Sequence, residues 1–191
     1  MVYRNQGLRF LEDQMDIYQI WITYNKPWSE REICFWCVIL AVTAVVMAYG
    51  VYRKKITIVQ ALSVCVLTVF LGIVFASTIF TRTTTVRQYE LMPFWSWREI
   101  IRNHDRGLLK ENLLNCILLL PAGALLPLIA GHKVKWSRAL SIGVMISAII
   151  ETSQLIFMRG LFEWDDMIHN GLGCMAGCLI VNWCMKLWKR K

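Results

Sequence analysis

Hydrophobic positions in this chain gather in five long runs, at residues 33–52, 56–80, 113–130, 139–157 and 167–188, separated by polar segments. A helix rises about 1.5 Å per residue, so roughly 20 apolar residues cross a hydrocarbon core about 30 Å thick. The pattern therefore predicts a bundle of five transmembrane helices, an all-α integral membrane protein. Only Arg53, Lys54 and Lys55 separate the first two runs, and residues 131–138 the third and fourth, so these neighbours must be antiparallel. Ahead of the first run, Leu8, Leu11, Met15, Tyr18 and Ile22 recur at spacings of three and four. That is one face of an amphipathic helix, lying on the membrane surface or docked on the bundle. The expected organisation is an N-terminal amphipathic, interfacial segment over 1–32, without a cleaved leader, and a five-helix domain over 33–191. A long interfacial loop, 81–112, joins the second and third spans.

Composition agrees with the pattern. The chain has 191 residues, 57 % of them apolar and 18 % charged, and a mean hydropathy of +0.46, values that exclude a disordered chain and argue against a soluble domain. The seven cysteines are odd in number and mostly sit inside apolar runs, which suits packing rather than a disulfide framework. Cys34 and Cys37 form a CxxC, but two ligands alone cannot close a zinc site, so no metal is expected.

Charge gives an orientation. Five crossings put the N-terminal segment, the 81–112 loop and Arg159 on one face, with eleven basic residues, and the remaining turns and the C-terminal end on the other, with ten. Twelve of the thirteen carboxylates lie on the first face, leaving the second with short, uncompensated basic segments. The positive-inside rule then makes the C-terminal face cytoplasmic and puts the N-terminus outside.

Spanning a membrane does not explain a set of polar residues near the outer ends of three helices. Glu151 interrupts the fourth run, where a carboxylate costs a few kcal/mol unless it faces a partner or water. Gln154 shares its helix face, and Arg159 follows two turns later. Asn112 and Asn115 open the third helix from the same side, and Asp165, Asp166, His169 and Asn170 open the fifth. From these we select Asn115, Glu151, Gln154, Arg159, Asp166 and Asn170 as candidate ligand-binding residues. Asn112 reads as interhelical hydrogen-bond glue, and Asp165 as the cap of the fifth helix. Gly173 and Gly177 form a small-xxx-small pair suited to close helix packing. Pro121 and Gly123 loosen the third helix in its middle. In the 81–112 loop, Arg82, Arg87, Arg98, Trp95 and Trp97 suit contact with lipid headgroups or an aromatic belt, with a short amphipathic helix over 97–102.

The wording and spacing of these motifs resemble the VanZ-like family of small bacterial membrane proteins over about residues 82–180. Asn112-x-x-Asn115-x5-Pro121-x-Gly123 resembles its asparagine-to-Pro-x-Gly signature, and Ile150-Glu151-x-x-Gln154-x4-Arg159 its IE-x-x-Q and arginine element. Asp166-x3-Asn170-x-x-Gly173-x3-Gly177 resembles its last segment, and Met92-Pro93-Phe94 its extended Pro-Phe element. Leu119 and Ala122 depart from the pattern at apolar positions only. The resemblance implies a protein of the bacterial plasma membrane, associated in the founding members with resistance to teicoplanin-type glycopeptides, without an established chemical activity.

Three functions compete. The first is a non-enzymatic envelope protein whose outer-leaflet pocket binds an anionic lipid or a polyprenyl-phosphate-linked cell-wall precursor. The second is an intramembrane hydrolase using Glu151, Asp166 and His169, against which stand the single histidine at the site and the lack of an HExxH. The third is a small transporter, which with five helices would need a homodimer. Membrane lipids are the expected partners; no cofactor and no nucleic acid is expected.

Overall fold

The computed structural model describes residues 29–80 and 88–188. The amphipathic segment expected ahead of the first span, and Arg82 and Arg87, lie outside the described residues. Helix α1 spans Glu30–Tyr52 and α2 Ile58–Phe75, the latter continued by a π-helical turn, Ala76–Phe80. Strand β1 (Gln88–Glu90) and helix α3 (Trp95–Asn103) follow, then α4 (Arg106–Leu118), α5 (Leu120–Ala130) and α6 (Trp136–Phe157). Strand β2 (Leu161–Glu163) leads into α7 (Trp164–Trp188). Counting α2 with its π turn, and α4 with α5, as single spans, five helical segments among the described residues are long and apolar enough to cross a membrane. The protein is a multi-pass membrane protein.

Local signals explain where the helices begin. Ser29 and Glu32 form a capping box at α1, the serine hydroxyl accepting the Glu32 N–H while the glutamate accepts the Ser29 N–H. Thr57 and Gln60 repeat the device at α2. Asp105 caps α4, accepting the N–H groups of Gly107 and Leu108 at 2.8 and 3.2 Å. This cap starts the third span seven residues before the apolar run does, so Asn112 lies well inside the helix rather than at its opening. The break in that span falls at Leu119, between α4 and α5. Pro121 stands at the first turn of α5, where its missing N–H is tolerated.

Helix α7 is the centre of the bundle and packs against α6, α5 and α4, while α1 touches the rest chiefly through α2. Close approach depends on glycine. A Cβ on Gly173 would lie 1.8 Å from the Cys116 carbonyl oxygen, and one on Gly177 2.0 Å from that of Leu120. The small-xxx-small pair thus seats α7 directly on the backbone of α4 and α5. Around this contact Leu119, Ala122 and Cys174 form a fully buried apolar cluster.

One feature departs from an all-α fold. Strands β1 and β2 pair in parallel, with Gln88 opposite Leu161, Tyr89 opposite Phe162 and Glu90 opposite Glu163. Three residues per strand are too few to produce a readable alternation of polar and apolar positions. The pairing ties the chain that follows α2 to the chain between α6 and α7. The end of the bundle that carries it is also where α1 and α4 begin.

Candidate functional site

At this end a short helix is held by a carboxylate from another element. Helix α3 begins after Phe94, whose φ of 60° is left-handed and which offers no side-chain cap. Asp165, on the first turn of α7 and 1 % exposed, supplies the cap instead. One of its oxygens accepts the Phe94 N–H at 2.5 Å, and the other accepts the Ser96 N–H at 3.1 Å and the Ser96 hydroxyl at 2.5 Å. Asn112 donates to the same hydroxyl at 3.1 Å. The cap expected of Asp165 therefore exists, but it closes α3 rather than α7. Sequence spacing could not show this, because the partners lie 69 residues apart.

A second tie joins α3 to α7. The Trp97 indole N–H donates to His169 Nε2 at 2.8 Å, and the two rings lie 5.8 Å apart. An imidazole that accepts at Nε2 carries its proton on Nδ1 and is neutral. Arg98 and Arg102 are exposed on α3, as is Ile101; Arg98 donates to the Met92 thioether. Trp95 is half-buried, and its indole N–H has no acceptor among the described residues. His104 closes the helix with a second left-handed residue, φ 52°.

The candidate ligand-binding residues come together from α4, α6, α7 and, for Arg159, the link between α6 and β2, and each has a partner within the protein. Glu151, 2 % exposed, accepts the Glu163 N–H at 3.1 Å and so holds the end of β2. Gln154 donates to the Thr78 carbonyl at 3.1 Å, and Arg159 to the Phe80 carbonyl at 3.2 Å. Both carbonyls belong to the π turn that ends α2, where a cation complements the helix terminus. Asn115 donates to Asp166. Asn170 donates to the Ser147 hydroxyl at 2.8 Å, while its own carbonyl oxygen is buried with no donor among the described residues.

Glu163 is a participant that sequence reasoning passed over. Its carboxyl is pushed up from the usual 4.5 to about 8, first by burial and then by Asp166, Glu111 and Asp165 nearby. At neutral pH it keeps its proton largely in place. Ser96, Thr78 and Ser147 were also missed. Ser147 alone carried a signal, since it precedes Glu151 by one helical turn and shares its face.

Chemically, this end has two parts. Beneath lies a network of carboxylates and amides whose groups are spent on holding β2, α3 and the π turn in place. Above it, α3 presents guanidinium groups and aromatic or apolar side chains together. Among the described residues no group of three or more histidine, cysteine or acidic side chains is arranged to hold a metal ion.

Comparison with protein families matches residues 57–185 to the VanZ/LLP1 family. No curated protein and no solved structure matches the chain. The matched region begins at Thr57, the cap of the second span, further back than the polar motifs reach.

Proposed function

The chain belongs to the VanZ/LLP1 family, and from that premise we propose that it is a non-enzymatic cell-envelope protein taking the headgroup of an anionic lipid at the outer-leaflet end of its bundle. Lipid-linked cell-wall intermediates fall within that class. The observation that carries the reading is α3, fixed at that end by Asp165 and by the Trp97 to His169 bond, with Arg98 and Arg102 exposed beside Trp97 and Ile101. Guanidinium groups bind phosphate through paired N–H donors, and aromatic side chains favour the headgroup level. The buried carboxylates of Asp165 and Glu151 are taken up by N–H groups of the protein, so the side chains α3 presents to a headgroup are its guanidinium groups. Asn115, Gln154, Arg159, Asp166 and Asn170 then serve to shape the floor of the site.

Orientation follows from the ten basic residues, free of acids, on the opposite face. A reporter fused after Lys191 is expected to be active in the cytoplasm and one at Met1 outside; both on one side would contradict the arrangement. Hydrolysis by Glu151, Asp166 and His169 has less support, since His169 Nε2 already accepts a hydrogen bond from the Trp97 indole N–H and Asp166 accepts one from the Asn115 amide.

The biological consequence we propose is lowered susceptibility to teicoplanin-type glycopeptides. Expression in a susceptible bacterium tests it. At equal membrane level the Arg98→Ala, Arg102→Ala double variant, which removes the guanidinium groups of α3, is expected to lose the protection that wild type confers. Wild type without effect overturns the resistance role, and full protection by the variant overturns the part given to α3.

A further inference from the structure

Helix α3 is bounded by two left-handed residues that are not glycine, Phe94 at φ 60° and His104 at φ 52°. A residue with a side chain keeps such a conformation only where its surroundings enforce it. Two side chains one turn apart on α7 hold α3 there. Asp165 accepts the Phe94 N–H and both donors of Ser96, and His169 Nε2 accepts the Trp97 indole N–H at 2.8 Å. Asn112 of α4 adds a bond to the Ser96 hydroxyl.

The His169 tie depends on a proton in a way the others do not. Nε2 accepts only while it carries none; an imidazolium donates from both nitrogens and would meet the indole N–H donor to donor. It would also stand one turn from Asp165 and compete for the carboxylate whose oxygens hold the start of α3. Asp165 is the charged group that acts on His169 among the described residues. Helix α3 meets the imidazole with neutral Trp97, while Arg98 and Arg102 are exposed. On α4, Asn112 and Asn115 are neutral, the latter donating to Asp166 of α7, and on α6 the Glu151 carboxylate accepts the Glu163 N–H. We propose that His169 is a proton-operated latch, which holds α3 on α7 at neutral pH and in acid takes a second proton, gives up Trp97 and releases α3. Released imidazoles are protonated below about pH 6.5, so docking weakens as pH falls, the opposite sign to Glu163. The inference names a regulation of the headgroup site proposed above and rests on that site only for the effect on lipid.

The test follows the full chain, carrying 5-fluorotryptophan and ring-labelled histidine, by NMR in detergent without added lipid between pH 7 and pH 5, below the Glu163 titration at about 8. The fluorine resonance missing from Trp97→Phe is that of Trp97. The imidazole resonance that survives in a His104→Asn, His132→Gln variant, which lacks the two exposed histidines, is that of His169. The Trp97 resonance is expected to move with the same midpoint as the His169 imidazole, in wild type and in that variant, and to stay fixed in His169→Gln, whose amide oxygen accepts at every pH. If His169→Gln fails to reach the membrane, the shared midpoint decides alone. A Trp97 resonance that does not move, moves with a different midpoint, or still moves in His169→Gln overturns the latch. Phosphatidylglycerol retained in native mass spectrometry, its phosphodiester ionised throughout, is then expected to fall about fivefold from pH 7 to pH 5 in wild type but not in His169→Gln, the weight of one hydrogen bond, about 1 kcal/mol. A moving Trp97 with unchanged retention supports the latch and contradicts a headgroup site on α3, whereas retention that falls while Trp97 stays fixed overturns the latch.

Discussion

Asp165 and Ser96 lie 69 residues apart and meet at 2.5 Å, the carboxylate accepting both the hydroxyl and, at 3.1 Å, the backbone N–H of the serine. The start of α3 is thus specified by α7 and not by its own sequence. Asp165→Ala removes every acceptor at once and strands buried donors, which costs about 1–3 kcal/mol. The expected outcome is a lower unfolding midpoint in detergent and faster proteolysis between β1 and α4. Asp165→Asn keeps one oxygen and should fall between the two, and a wild-type midpoint for the alanine variant would contradict the cap.

Glu163 gives the protein a pH dependence of known sign. Its carboxyl titrates at about 8 in the folded protein and near 4.5 otherwise, so between these values the folded state holds the extra proton. Stability contributed by this group is complete below 4.5 and is lost as pH rises through about 8. Thermal unfolding followed from pH 5 to pH 8 should show a decline that Glu163→Gln flattens. An unchanged slope in the variant would assign the decline to other groups.

At Gly173 the α7 backbone lies against the Cys116 carbonyl with no room for a methyl group. Gly173→Ala must push the helices apart, and overpacking of this kind costs about 1–3 kcal/mol. Leu172→Ala, on the exposed side of the same turn, is the control and should change the midpoint little. Equal effects from the two would contradict the close contact.

The spans were legible because an unbroken run of about twenty apolar residues suits a membrane crossing and little else. Ser29, Thr57 and Asp105 mark helix starts by local capping that a sequence displays directly. The third span was read seven residues short because Lys110 and Glu111 interrupt its apolar run, although the Asp105 cap lay in view. What spacing concealed was every pairing across the chain. Gln154 and Arg159 were legible as polar residues on one helix, but their partners are backbone carbonyls of Thr78 and Phe80, which carry no side-chain signal. The Asp165 cap and the short parallel strands were hidden for the same reason. Polar residues could be placed at one level by counting helical turns, whereas the fold alone decides which backbone group each one meets.

The central claim, that this end of the bundle takes an anionic headgroup through α3, is tested most directly by native mass spectrometry of the full chain purified in detergent. Equal amounts of phosphatidylglycerol and phosphatidylcholine are offered, and the lipid retained is measured. The account predicts preferential retention of phosphatidylglycerol, reduced about tenfold in the Arg98→Ala, Arg102→Ala double variant, equivalent to about 1.4 kcal/mol. Equal retention of the two lipids by wild type, or a preference that the double variant leaves intact, would contradict it.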